Sequence, residues 1–329
     1  MKPHDFRRLI KHLDDLSPAQ VQDASRRITE VRRKTEAITE IEARAQATSK
    51  CPHCRHGERE KWGRTRTNIQ RYRCRGCRRT YTGRTGSTIQ HLHRPDLFLE
   101  VAKDMLGDRA PSSIRELSRS LRRNKHTIWR WRMIILNALS GASSNSFGGI
   151  VEADETYQRE SRKGSREWVR HLRNPSQHPK PPRRRWYEYG EKGIPMMRGL
   201  SRWQLPILTV ADRGGARRFQ RIAGRSNGTI QMALSPIVAR DAVLCTDGLA
   251  GYAAFAQSSG IEHFVIKTKP GQKAVSATHH IQNINSLHSR YKDFTRPFRG
   301  PASKYLGGYL QWFIARVGKI RPDEILRTV

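Results

Sequence analysis

The sequence predicts a multidomain α/β protein. A helical arm over residues 1–50 is followed by a cysteine-bearing ribbon over 51–88, a helix-turn-helix over 96–140, and a mixed sheet with flanking helices over 147–318. Three observations predict it. Apolar residues recur at three-, four- and seven-residue spacings before residue 50, and four cysteines fall in two close pairs between residues 51 and 77. Beyond the Gly-Ser-Asn stretch "SGASSNSFGG", short apolar runs alternate with helical ones. A length of 329 residues leaves room for two or three domains.

In the arm, "SPAQVQDASRRITEVRRKTEAITEIEARA" sets Val21, Ile28, Val31, Ile38 and Ile41 at helical spacings, with Ser17-Pro18 as a start signal. Its mixed charges describe an amphipathic surface that packs on its own protein or on a second copy; a grip on DNA is the alternative.

Cys51, Cys54, Cys74 and Cys77 follow C-x2-C-x19-C-x2-C, each pair inside a short turn ("CPHC", "CRGC"). Two residues between thiolates let both sulfurs face one tetrahedral ion, and four soft thiolates select Zn²⁺. With four protein ligands no position stays open for substrate, so the zinc is read as structural. A redox C-x-x-C pair is the rival. The ribbon surface carries eleven basic residues and two acids between Cys51 and Arg84, which suits phosphate contacts. Cys245, in an apolar run, reads as core.

"SSIRELSRSLRRNKHTIWRWR" places Ile114, Leu117 and Leu121 on one helical face, and a break near Arg122–Lys125 precedes Thr127, Ile128 and Trp131. Two short helices crossing this way put the second into a DNA major groove, with Asn124, Lys125, His126 and Arg130 outward and Ile128 and Trp131 in the core. A helical hairpin that binds nothing is the bland alternative.

The last domain carries strand-like runs "GIVEADETY", "LPILTVADRGG", "ARRFQRIAG", "AVLCTDG" and "IEHFVIKT", with helices near 230–238, 249–259 and 281–294. The order β-β-β-α-β-α-β-α describes a mixed sheet. A basic insert, about 158–200, interrupts the first two strands. Ser161 to Arg185 holds nine Lys or Arg against one Glu, which reads as a loop that orders on a ligand, with Arg183, Arg184 and Arg185 meeting DNA. In "IVEADETY" strand alternation sends Glu152 and Asp154 to one face and Ala153 and Glu155 to the other. Asp247 ends the strand "VLCTD". Two carboxylates on neighbouring strands can share hard cations, Mg²⁺ or Mn²⁺, suited to in-line phosphoryl displacement.

Composition narrows the partner. Lys and Arg number 63 against 29 acids, a formal charge of +34 with pI near 11.1 and mean hydropathy −0.76. A polyanion neutralises such a charge in use, and nucleic acid is the expected one, double-stranded DNA if the helix pair above enters a major groove; an anionic membrane surface is the competitor. No run of 18 apolar residues and no signal-type leader stand in the sequence, so the expectation is a soluble cytoplasmic protein at the nucleoid, without membrane partners.

Taken together, "CPHC…CRGC", "SIRELS…TIWRWR", "VEADETY", "LCTDG", "HIQNINSLHSRYK" and "FRGPASKYLGGYLQWF" resemble bacterial insertion-sequence transposases of the DDE superfamily. The likeness runs from about Cys51 to Val317 and is closest to a subgroup with zinc ribbon, helix-turn-helix and an Asp-Asp-Asn triad. It implies an RNase H-like core, cutting at the ends of a mobile element, and joining of 3′ ends to target DNA by a homo-oligomer. It assigns Asp154 and Asp247 to the first two acidic positions and Asn285 to the third. His288 takes the position three residues on, to orient phosphate, move a proton or simply hydrogen-bond. Lys292, a further turn along that face, would meet DNA phosphate, and Glu152 is the reserve carboxylate. His279 and His280 read as surface residues. A non-catalytic binder of element ends and a purely hydrolytic nuclease are the competing functions.

Overall fold

The computed structural model describes residues 2–181, 204–266 and 278–328. The chain divides into two compact units, residues 1–138 with 320–329, and residues 139–319.

The first unit is built on a long helix. After α1 (Pro3–Lys11), α2 (Pro18–Ala47) starts at a reciprocal cap: the Ser17 hydroxyl accepts the Gln20 N–H, and the Gln20 side chain accepts the Ser17 N–H at 2.9 Å. The apolar stripe expected along this helix divides in two. Val21, Ile28 and Val31 are exposed, whereas Ala37, Ile41 and Ala45 are buried, Ala45 against a three-stranded antiparallel ribbon, β1 (Arg59–Arg64), β2 (Gln70–Cys74) and β3 (Thr80–Tyr81). The contact is backbone-close: a Cβ on Gly83 would stand 1.9 Å from the Ile41 carbonyl oxygen, so only glycine fits there. Arg44 donates to the Gly83 carbonyl at 2.6 Å, and Glu42 accepts from Arg64 and the Gln70 N–H at 3.0 and 3.1 Å.

Three helices follow, α3 (Pro95–Leu106), α4 (Ile114–Ser120) and α5 (Lys125–Ala138). Leu117, Ile128 and Trp131 are buried, and Trp131 meets Phe98 edge-on at 6.1 Å. The C-terminal residues, which carry no pattern in the sequence, belong to this unit. Their short helix Ile325–Thr328 buries Ile325 and Leu326, and Arg327 pairs with Glu40 of α2.

The second unit is a mixed five-stranded sheet. Its strands are β4 (Ile150–Arg159), β5 (Gln204–Asp212), β6 (Arg217–Arg221), β7 (Val243–Thr246) and β8 (Glu262–Val265), in the order β6-β5-β4-β7-β8. β4–β5 and β5–β6 are antiparallel; β4–β7 and β7–β8 are parallel. Between them run α6 (Glu167–Arg173), α7 (Asn227–Leu234) and α8 (Ala250–Ser259), and α9 (Gln282–Thr295) and α10 (Leu306–Val317) complete the unit.

Alternation sorts the two cores. Val151, Ala153, Leu208 and Val210 pack with Ile230, Tyr252 and Phe255 on the α7/α8 face. Ile207, Ala211 and Phe219 pack with Ile284, Leu287, Tyr291 and Phe313 on the α9/α10 face. Burial of both faces explains why β7, "VLCT", shows no polar alternation and why Cys245 is core, as expected. The block "FRGPASKYLGGYLQWF" is an aromatic clasp: Phe298 meets Tyr309 at 5.1 Å and Trp312 at 5.3 Å, and Phe294 meets Trp312 at 5.2 Å.

The basic insert is not loop throughout. Residues 167–173 form α6, and Lys163 donates to the carbonyls of Phe298, Arg299 and Gly300 at 3.0, 2.6 and 2.9 Å, tying the start of the insert to the clasp. Arg183, Arg184 and Arg185 lie outside the described residues. Among the described residues no helix is long and apolar enough to cross a membrane.

Candidate functional site

The four cysteine sulfurs lie within 4.8 Å of one another, with Cys51 and Cys77 3.8 Å apart and Cys54 and Cys74 3.6 Å apart. Zinc–thiolate bonds of about 2.3 Å give a tetrahedron with edges of about 3.8 Å, so the cluster fits a zinc-type ion. Two matching turns hold it. Cys51 N–H donates to His56 O and Arg55 N–H to Cys51 O; Cys74 N–H donates to Arg79 O and Arg78 N–H to Cys74 O. Arg55 and Arg78 sit at φ 65° and 60°, in the left-handed conformation each turn needs. The Cys77 N–H helps hold the Cys74 thiol down at about 6, which favours the ligating thiolate. On the same ribbon, the exposed Trp62 carries the Arg73 guanidinium 4.3 Å above its ring, a pairing that strand alternation alone does not announce.

At the start of α5, Lys125, His126 and Arg130 are exposed. Asn124 is exposed too, but its Oδ1 accepts the His126 N–H at 2.9 Å, so it caps the helix. Trp129 adds a partly exposed aromatic between these positions.

In the second unit the parallel pair β4–β7 sets Glu152 opposite Cys245. Two residues further, the same register brings Asp247, just past the end of β7, beside Asp154. Burial first, and then the charge of Asp247, push the Asp154 carboxyl up to about 7. The Glu155 N–H donates to Asp154 Oδ1 at 2.7 Å. Asp247 is exposed, and its Oδ1 accepts the Leu249 N–H at 3.2 Å. The turn after it needs Gly248, at φ +92°, where a Cβ would come 2.6 Å from Val265 Cγ1.

α9 lies over this edge. His288 is buried with its Nδ1 3.8 Å from Asp154 Oδ2, its Nε2 2.9 Å from the Thr209 hydroxyl, and its ring edge-on to Phe219. Burial, and then the charge of Lys292, lower its pKa to about 4, so the ring is neutral near pH 7. Asn285 and Lys292 are exposed one turn to either side.

Glu155, on the opposite face as alternation requires, accepts the buried Tyr252 hydroxyl at 2.8 Å, and Arg225 stands 4.0 Å from it. Glu152, expected above as the reserve carboxylate, is already engaged. It is 1% exposed, and both its oxygens are engaged by Arg213, Asn283 and the Ile284 N–H. His279 and His280 are half-buried at the surface and have partners there: His279 stacks on Phe264 at 4.0 Å, and His280 faces Glu152.

Thr209, Arg213, Arg225 and Tyr252 had escaped sequence reasoning. Only Thr209 carried a signal, as the lone hydroxyl inside the apolar run "LPILTVAD".

A family model described as the ISXO2-like transposase domain matches residues 146–316, more than half of the chain and nearly the whole second unit. The chain therefore belongs to the ISXO2-like transposase domain family, and so to the transposases of insertion sequences. It is also 26% identical over 284 residues to an "Uncharacterized protein in transposable element ISH50" of Halobacterium salinarum, a match covering 85% of this chain and 89% of that one.

Proposed function

We propose that the chain is an active DNA transposase, which binds the ends of its own insertion sequence, cleaves the strands and joins the 3′ ends to target DNA. The observation that carries this reading is the electrostatic coupling of Asp154 and Asp247 across the parallel β4–β7 pair, with His288 packed beside Asp154. The sheet order, three antiparallel strands followed by two parallel ones, agrees with an RNase H-like core.

A buried carboxylate whose proton affinity is raised by a neighbouring carboxylate invites a hard divalent cation, and oxygen donors suit Mg²⁺ or Mn²⁺. Such ions would stabilise the charge that develops in an in-line displacement by water or a 3′-hydroxyl. Asp154 and Asp247 would hold them, and Asn285 would add a neutral carboxamide oxygen. His288 is neutral and pinned by Thr209, so its role is to hold Asp154 in place rather than to contact phosphate. Lys292, exposed on the same helix, is free to meet the DNA backbone.

End binding falls to the first unit. α4 and α5 act as a helix-turn-helix presenting Lys125, His126 and Arg130, with Asn124 ordering the helix start. The zinc ribbon supplies phosphate contacts, and Arg183, Arg184 and Arg185 of the insert extend them. Two element ends need two active sites, so the working form is a dimer or larger. The exposed Val21, Ile28 and Val31 of α2 suit a second copy.

The test is incubation of purified protein with Mg²⁺ or Mn²⁺ and DNA from the ends that flank the gene. Joined products are expected. Asp154→Ala and Asp247→Ala should lose cleavage and keep end binding, and unimpaired cleavage by either refutes the site. Nicks without joining would point to a hydrolytic nuclease, and retarded but intact DNA to a binder.

A further inference from the structure

An acidic third ligand is drawn to a cation by its own charge. A carboxamide is not, so a site that uses Asn285 needs the helix under it fixed beforehand. We infer that Glu152 is the positioning residue that does this: with Arg213 it fastens the first turn of α9 to β4, and so sets Asn285 and His288 against Asp154. The inference rests on the proposed site and adds to it the device that places its third corner.

The geometry is specific. α9 opens at Ile281, whose own side chain makes no cap, leaving the first N–H groups of the helix in need of acceptors. Glu152, from another element, supplies one: its Oε2 accepts the Ile284 N–H at 3.1 Å and its Oε1 the Asn283 side-chain amide at 2.8 Å. A carboxylate at a helix N-terminus is also favoured by the helix dipole. Burying that charge demands a cation, and Arg213 Nη1 meets Oε1 at 2.9 Å. Arg213 in turn donates to the Thr278 carbonyl at 3.1 Å and lies 3.2 Å from His280 Nδ1, so it also holds the residues leading into the helix.

This contact fixes the next one by simple spacing. Along β4, Asp154 is two residues beyond Glu152, about 6.7 Å. Along α9, His288 is four residues beyond Ile284, about 6 Å. Strand and helix thus advance in step, and seating Ile284 on Glu152 delivers His288 to Asp154, as the 3.8 Å approach shows. Asn285, the residue after Ile284, is carried to the same edge.

The test uses Glu152→Gln, close in size to the original, and Arg213→Gln, whose residue is partly exposed and tolerant of change. Hydrogen exchange, read with zinc retained but without Mg²⁺, Mn²⁺ or DNA, should speed up by about tenfold or more over residues 281–285 in both variants, with α10 unchanged. In cleavage, the Mn²⁺ concentration for half-maximal rate should rise several-fold. Adding Asn285→Asp to Glu152→Gln should bring it back, because the new charge lets the ion draw the helix in. Unchanged exchange at the first turn overturns the inference, as does an elevated Mn²⁺ requirement that Asn285→Asp fails to lower. The exchange readout needs no catalysis, so its failure is separable from failure of the Asp154→Ala and Asp247→Ala tests.

Discussion

Asp154→Asn makes the electrostatics of the site measurable as stability. In the folded protein the Asp154 carboxyl is pushed from 3.8 up to about 7 by burial and by Asp247. Between roughly pH 4 and 7 the folded state therefore holds a proton that the unfolded chain gives up. The associated stability is fully present below pH 4 and is lost as the pH rises through 7. Three pKa units correspond to about 4 kcal/mol, and access of solvent to the partly exposed side chain trims this to about 2–4 kcal/mol. Asparagine removes the charge yet keeps an oxygen for the Glu155 N–H. With zinc retained and no other divalent cation, the variant should be more stable than wild type by that amount at pH 7.5 and equal to it near pH 4. For a unit of this size the difference is a melting shift of roughly 5–15 °C. Adding Mg²⁺ should raise the melting temperature of wild type and leave the variant almost unmoved. Thermal melts between pH 4 and 8, with and without Mg²⁺, decide it. A variant less stable than wild type at pH 7.5, or one equally stabilised by Mg²⁺, refutes the reasoning.

Other expectations follow from the same geometry. Asn285→Asp should lower the Mg²⁺ concentration needed for half-maximal cleavage, and an unchanged titration counts against ligation by Asn285. Gly248→Ala forces a Cβ against Val265 at a left-handed backbone, at a cost of about 1–3 kcal/mol by urea denaturation, and should slow cleavage by displacing Asp247. Stripping zinc with a strong chelator should loosen the packing of Ala45, Tyr72 and Tyr81 around the cysteines, read as lost near-ultraviolet dichroism, while the melt of the second unit persists. Lys125→Ala and Arg130→Ala should each weaken end binding and reduce the slope of log affinity against log salt by about one; an unaltered slope removes that residue from the interface.

The elements were legible where a local period ruled. Alternation separated Asp154 from Glu155 correctly, because successive strand residues must face opposite sides whatever lies there. Every strand and helix of the second unit that the pattern marked is present, with ends shifted by a few residues. The Cys-x2-Cys pairs, too, needed only local geometry. What stayed hidden was the choice of partner. The stripe on α2 reads the same along its length, yet Ile28 is exposed and Ile41 is buried against Gly83, a partner that the helix's own pattern does not name.

Glu152 and Asp154 are equivalent in the strand pattern, and nothing near them tells a helix anchor from a ligand. The distinction comes from Arg213 and from the first turn of α9, both remote in sequence. Periodicity names the face on which a residue lies; the fate of a buried charge depends on what faces it. An acid two residues from another on the same strand face is thus as well placed to hold a neighbouring helix as to share an ion. Here Arg213 takes Glu152 for the first task, and in the proposed site the exposed position of Asp247 beside Asp154 leaves the second to that pair.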